Sequence, residues 1–238
     1  TKMSHLHFTA TEEYRRRVIQ LGEQPDRVFN VGAAGIDNIK RLKLLSKQEF
    51  EQSINFKLGK KNLLVTFHPV TLEDTTSKQQ FSDLLTALNK LEDTHIIFTK
   101  ANADTDGRVI NKMIDKYVLE QPETTIAFNS LGQLRYLSAM QYVDGVVGNS
   151  SSGLLEAPSF KIGTVNIGDR QRGRVKASSI IDSISTEESV ASALKKLFSQ
   201  EFSNSVKQTV SPFGNGGVAE KIVKIIDSFP LDDILKKK

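Results

Sequence analysis

The chain has 238 residues, 38% of them apolar and 25% charged, with a formal net charge of +4, which suits one large globular domain or one domain and part of another. The small, dispersed charge argues against a nucleic-acid partner, no run approaches the roughly 20 apolar residues of a membrane span, and the N-terminus carries no apolar signal region. The absence of cysteine excludes disulfides and thiolate metal sites and leads us to expect a cytoplasmic protein.

In chain order, His5–Ala10 reads as a short strand, and Thr9 with Glu12 forms a candidate capping box for a helix over Thr11–Leu21 that Gly22 stops. Asp26–Val31 reads as a strand, and Ile36–Leu45 as a helix after the small turn Gly32-Ala33-Ala34-Gly35. Ser46-x-x-Glu49 opens another helix as a second capping box, and Gly59-Lys60-Lys61 breaks it. A new series begins with strand Leu63–Phe67 and helix Ser77–Leu91, which places Phe81, Leu84, Leu85, Leu88 and Leu91 on one face. Strand His95–Thr99, helix Arg108–Val118, strand Thr124–Phe128, helix Leu131–Gln141 and strand Asp144–Gly148 follow. A helix opens at Gly153, strands are expected at Gly163–Ile167 and Ser179–Ile184, and helices Thr186–Phe198 and Val218–Phe229 close the chain. The cluster Lys236-Lys237-Lys238 reads as a solvated end.

Strands separated by helices predict an α/β fold, a parallel sheet with helices on both faces. Ligands of such sheets sit beyond the carboxyl ends of the strands, so the informative loops are 68–76, 100–107, 129–130, 149–153 and 168–174. In Val146-Val147-Gly148-Asn149-Ser150-Ser151-Ser152-Gly153-Leu154-Leu155-Glu156, an apolar strand runs into serines and a glycine that open a helix. Free backbone N–H groups and hydroxyls there suit phosphate. Gly153 would let a ligand approach the backbone, and Glu156 could accept from ribose hydroxyls. The same residues also fit a plain serine N-cap with a capping-box glutamate. The run Gly168-Asp169-Arg170-Gln171-Arg172-Gly173-Arg174 supplies three arginines, either for a phosphate or as a solvated charge run. His68 ends the first strand of the main series and could reach a diphosphate or sugar. Asn102 and Asp104 follow the next strand and serve equally well as turn residues. His5, His7 and His95 have no partner at metal-ligand spacing, and no phosphate-binding lysine loop, dinucleotide fingerprint or nucleophile elbow is present.

The run Gly148-Asn149-Ser150-Ser151-Ser152-Gly153-x-x-Glu156, followed by Val165-Asn166-Ile167-Gly168-Asp169-Arg170-Gln171-x-Gly173-Arg174, resembles the hydrolysing UDP-N-acetylglucosamine (UDP-GlcNAc) 2-epimerases. His5–Tyr14, Thr66-Phe67-His68-Pro69 and Pro212-Phe213-Gly214-Asn215-Gly216 look like the same family, so the resemblance covers essentially the whole chain. Non-hydrolysing relatives usually carry Asp-Ser-Gly-Gly in the serine loop, which favours the hydrolysing branch. The resemblance implies two Rossmann-like domains in a GT-B-like arrangement, with the substrate between them. Residues 1–35 would then end the first domain, 36–61 form linker helices, 62–212 the UDP-binding domain, and 213–238 a helix packing back on the first.

By matching motif, Ser150, Ser151, Ser152, Gly153 and Glu156 would hold diphosphate and ribose, with Arg170 and Arg174 on the phosphates. His68, Asn102 and Asp104 would line the cleft, and the backbone near Phe128 would hold uracil. The implied reaction eliminates UDP from UDP-GlcNAc with inversion at carbon two, then hydrates the product to N-acetylmannosamine or a related sugar for sialic or legionaminic acid. The resemblance implies no metal or cofactor, and a homo-oligomer for the whole enzyme. Its main acid and base residues belong to a preceding domain, so a fragment that binds UDP but is inactive by itself is expected. A GT-B glycosyltransferase using a UDP-sugar and a non-catalytic sugar-nucleotide-binding module remain the alternatives.

Overall fold

The computed structural model describes residues 1–70, 76–102 and 105–230. Asp104 and the Lys236-Lys237-Lys238 cluster lie outside the described residues. Two compact units arise: one is Leu44–Val210, the other combines Thr1–Lys43 with the chain from Ser211 onward.

The smaller unit starts with two parallel strands, β1 (His7–Thr9) and β2 (Val28–Asn30), joined through helix α1 (Glu12–Gln20). The α1 cap is Thr11, which accepts from Tyr14 N. The expected cap, Thr9, instead donates to the carbonyls of Phe29 and Thr11. Pro25 converts the first part of the expected second strand into a 3-10 turn over Pro25–Arg27, so the strand begins at Val28. Helix α2 (Gly35–Arg41) follows.

The larger unit opens with α3 (Lys47–Ile54), whose capping box joins Ser46 and Glu49 reciprocally. The helix ends at Asn55 in the left-handed region, φ 49°, before the expected glycine break. The main series is β3 (Lys61–Thr66), α4 (Ser77–Leu88), β4 (Thr94–Thr99), α5 (Thr105–Glu120), β5 (Thr125–Phe128), α6 (Gly132–Ala139) and β6 (Gly145–Gly148). It continues with α7 (Ser152–Leu155), β7 (Gly163–Ile167), β8 (Ile180–Ser183), α8 (Glu187–Leu197) and α9 (Gln200–Val206). Two departures from expectation stand out. The helix after the serine loop is a single turn that runs into a 3-10 turn at Ala157–Phe160, with Pro158 at its start. The seven-residue helix α9, capped by Ser199, was not anticipated. Helix α10 (Val218–Ser228) returns to the smaller unit, where the Asp37 carboxylate accepts from Val218 N and Ala219 N at 3.0 and 2.9 Å.

The six strands of the larger unit are all parallel, in the order β5-β4-β3-β6-β7-β8. The order reverses between β3 and β6, which is where such sheets open a ligand crevice. Helix-to-helix connections cover both faces, so the strands are nearly all apolar inside: Leu63, Leu64, Ile97, Phe98, Val147 and Val165 are fully buried. Phe67 meets Phe81 at 5.6 Å, and Phe98 meets Tyr117 edge-on at the same distance. The predicted α4 stripe is seated as expected: Phe81, Leu84 and Leu88 are buried, and Leu85 and Leu91 pack at its margin.

Candidate functional site

The strand register aligns Phe128, Thr99, Thr66, Gly148 and Asn166 in one line across the sheet. The loops after them therefore emerge side by side on the carboxyl edge. Adjacent strands lie about 4.8 Å apart, so Phe128 and Gly148 are about 14 Å apart along this edge.

At the centre, Asn149 closes the switch point. Its side chain accepts from His68 N and donates to His68 O, both at 2.8 Å, and its own N–H donates to Thr66 O at 3.2 Å. Its carbonyl accepts from Gln171 Nε2 at 2.8 Å and Arg170 Nη1 at 3.1 Å. Asn149 is 1% exposed, so its polar groups are satisfied internally, as burial demands. The chain can turn this sharply because residue 148 is glycine: its φ is +130°, and a Cβ there would lie 1.9 Å from Thr66 O. One bracket thus fixes the ends of β3 and β6 and the loop after β7.

The serine loop rises from this bracket. Ser151 stands at the N-cap of α7 but makes no side-chain cap bond, and Glu156 sits at the C-cap rather than on the first turn. The plain capping explanation therefore does not hold. Ser150 Oγ accepts from Ser152 N at 3.4 Å and lies 3.3 Å from Ser152 Oγ. Ser152 Oγ is also hydrogen-bonded to the Tyr136 hydroxyl. Gly153 has a local explanation: a Cβ would meet Thr164 Cγ2 at 2.7 Å, and Thr164 Oγ1 donates to Gly153 O at 2.8 Å. The glycine lets α7 lie against β7, whereas the sequence suggested room for a ligand.

Glu156 is the electrostatic anomaly of the edge. Its Oε2 is buried with no hydrogen-bond partner. Burial raises the carboxyl from 4.5 to about 7, against a smaller opposing effect of its own backbone amide. A buried acceptor left without a donor costs roughly 1–3 kcal/mol, more if charged.

The remaining candidates spread outward. Arg170 is exposed apart from its bond to Asn149, leaving most of its five N–H donors turned to solvent. Arg174 is exposed, its backbone tied to Gln171 O at 3.3 Å, while Arg172 pairs with Asp169 at 3.4 Å. Asn102 is exposed beyond β4, where Asn111 clamps the Ala101 backbone at 2.9 and 3.1 Å. Phe128 ends the outer strand β5, with Arg135 over its ring and its carbonyl bonded by Lys100 N. A cavity of about 340 Å³ opens beyond β3 and β4, lined by Thr66, His68, Thr99, Lys100, Gln133 and Tyr136 among others; of the described candidate residues only His68 lines it. The structure thus gathers His68, the three serines, Glu156 and Arg170 around the switch point, with Asn102, Phe128 and Arg174 further out. Asn149, Gln171 and Tyr136 were missed as site residues. The Asn at the strand end and the Gln between two arginines were visible signals, but nothing marked Tyr136.

The sequence pattern of the family described as UDP-N-acetylglucosamine 2-epimerase matches residues 1–227. The chain is 40% identical over 238 residues to the GDP/UDP-N,N'-diacetylbacillosamine 2-epimerase (hydrolyzing) of Campylobacter jejuni, covering 100% of this chain and 62% of that protein. It is also 40% identical over 233 residues to the polysialic acid biosynthesis protein P7 of Escherichia coli, covering 96% of this chain and 58% of that protein. The solved S. aureus MnaA-UDP co-structure shares the fold with a TM-score of 0.76 at 18% identity, over 99% of this chain and 63% of that one. The chain spans about three fifths of the length of the curated relatives it matches. It belongs to the UDP-N-acetylglucosamine 2-epimerase family.

Proposed function

We propose that this chain supplies the nucleotide-holding part of a hydrolysing 2-epimerase that takes UDP-GlcNAc or a related UDP-sugar. The reaction eliminates UDP, inverts carbon two and adds water, releasing N-acetylmannosamine or a related sugar for sialic or legionaminic acid synthesis. The observation that carries the reading is the half-buried Glu156, whose enclosed Oε2 has no hydrogen-bond partner, in the turn that follows a loop of serine hydroxyls at the switch point. On this reading Glu156 accepts from the ribose diol, and Ser150, Ser151 and Ser152 donate to the diphosphate. Arg170 and Arg174 offset its charge, His68 and Asn102 line the sugar side, and the backbone beyond Phe128 meets uracil. The two relatives at 40% identity support the direction, one named a hydrolysing 2-epimerase and the other a polysialic acid biosynthesis protein.

Elimination requires a base to take a proton and an acid to assist departure, each within hydrogen-bond reach. Among the described residues of this edge, His68, Lys100, Tyr136, Asp169 and Glu156 are titratable. Lys100 is paired with Asp115 and Asp169 with Arg172, Tyr136 is bonded to Ser152, and Glu156 is engaged by ribose on this reading. The family resemblance puts the main acid and base in a preceding domain. The chain alone therefore holds the nucleotide without turning it over. Calorimetric titration with UDP tests the first half: we expect saturable 1:1 binding, weakened by roughly 1.5–3 kcal/mol in Arg170→Ala if the guanidinium makes a charge-assisted bond. An assay for UDP released from UDP-GlcNAc tests the second: turnover near ~1 per second would put the acid and base in this chain and overturn the assignment.

A further inference from the structure

Tyr136 stands on the carboxyl edge next to the serine loop. It stands on α6, half-buried, and forms a wall of the 340 Å³ cavity. Its hydroxyl is bonded to Ser152 Oγ, and the Thr66 side chain, itself bonded to Thr99 Oγ1, lines the same cavity. The hydroxyls of Thr99, Thr66 and Tyr136 thus lie around one cavity, and that of Tyr136 connects to the serine loop.

Each hydroxyl in such a row has one hydrogen to give and two lone pairs to receive. On Ser150 the receiving side is occupied from within, by Ser152 N. On Ser152 the neighbour is a phenol, a stronger acid than any aliphatic hydroxyl and so the preferred donor of the pair. With Tyr136 and Ser150 both donating to Ser152 Oγ, the Ser152 hydrogen is left free to be given to a further acceptor. Donors in a chain also strengthen one another. An O–H whose oxygen already accepts from two neighbours is a strengthened donor and matches an anionic oxygen.

We propose that Tyr136 is a positioning residue that orients the Ser152 hydroxyl as a donor to the diphosphate of a bound uridine nucleotide. This rests on the reading of the edge as a UDP site. The phenol touches the ligand's phosphate through Ser152, so its removal acts only while Ser152 is present. Burial of the phenol raises its pKa, so it stays protonated and able to donate across the physiological range.

The test is a double-substitution cycle read by calorimetric titration of the chain with UDP, using Tyr136→Phe, Ser152→Ala and the pair together. We expect Tyr136→Phe to weaken UDP binding about tenfold, Ser152→Ala by as much or more, and the pair no further than Ser152→Ala alone. Phe keeps the ring and its packing, and a thermal unfolding scan confirms that each variant is folded. If Tyr136→Phe does not fold, comparing Ser152→Ala with Ser152→Thr, which keeps the hydroxyl, decides: equal loss in both would overturn the proposal. A folded Tyr136→Phe that binds UDP like the wild type, or losses that add in the pair, would also overturn it. A wild-type chain that fails to bind UDP overturns the parent reading as well, so the two failures are distinguishable.

Discussion

Glu156 shows how one partly enclosed carboxylate carries a cost of folding. In the unfolded chain it gives up its proton near 4.5, but in the folded chain it keeps it to about 7. The folded state therefore binds more protons across that window, and the residue's contribution to stability falls as pH rises from about 4.5 to about 7, then levels off. The loss is at most about 3 kcal/mol, an upper bound because the side chain is not wholly enclosed. Glu156→Gln removes the titration. Urea unfolding from pH 4.5 to 8 should show the variant gaining on the wild type across the window and more stable than it at pH 8. Parallel curves for the two proteins would mean that Glu156 is solvated. At this scale the sequence was partly legible. The serines and Glu156 announced themselves by type and spacing after an apolar strand. The bracket made by Asn149 did not, because its partner His68 is 81 residues away and the pairing depends on which strands become neighbours. Tyr136 was hidden for the same reason, since a tyrosine inside a helical stretch usually signals packing.

Helices with strong local signals fell where their sequences put them. The Ser46–Glu49 capping box is present on both sides, and the α4 stripe faces the sheet. The sequence failed where distant chain supplies the missing partner. Helix α10 has Gly217 at its N-cap and no local side-chain cap; Asp37 on α2 takes that place. The two amide donors hold the Asp37 carboxyl below the ordinary carboxylate value, with Arg41 adding to the effect. The carboxylate thus stabilises the fold above the unfolded pKa, and the contribution is lost as pH falls through the lowered folded value. In hydrogen exchange, Asp37→Asn should reduce protection of the Val218 and Ala219 amides, with the amides of α8 unchanged. Unchanged protection at 218 and 219 would show that packing alone anchors the helix. Helix α9 escaped notice because its seven residues show little periodicity, and its cap, Ser199, lies in a polar stretch.

Over the larger unit, alternation of apolar runs and amphipathic helices sufficed to predict a parallel α/β sheet. It did not yield the strand order. That order brings β3 beside β6 and so creates the crevice where Thr66, His68, Asn149 and the serines meet. On the proposed reading, UDP occupies this carboxyl edge. Titrating UDP into the isotope-labelled chain and following backbone amide resonances tests it most directly. We expect saturable shifts at Phe67, His68, Gly148–Gly153 and Arg170–Gln171, while residues at the opposite ends of the same strands, such as Asn62, Gly145 and Gly163, stay in place. Shifts centred on those opposite ends, or none at saturating UDP, would contradict it.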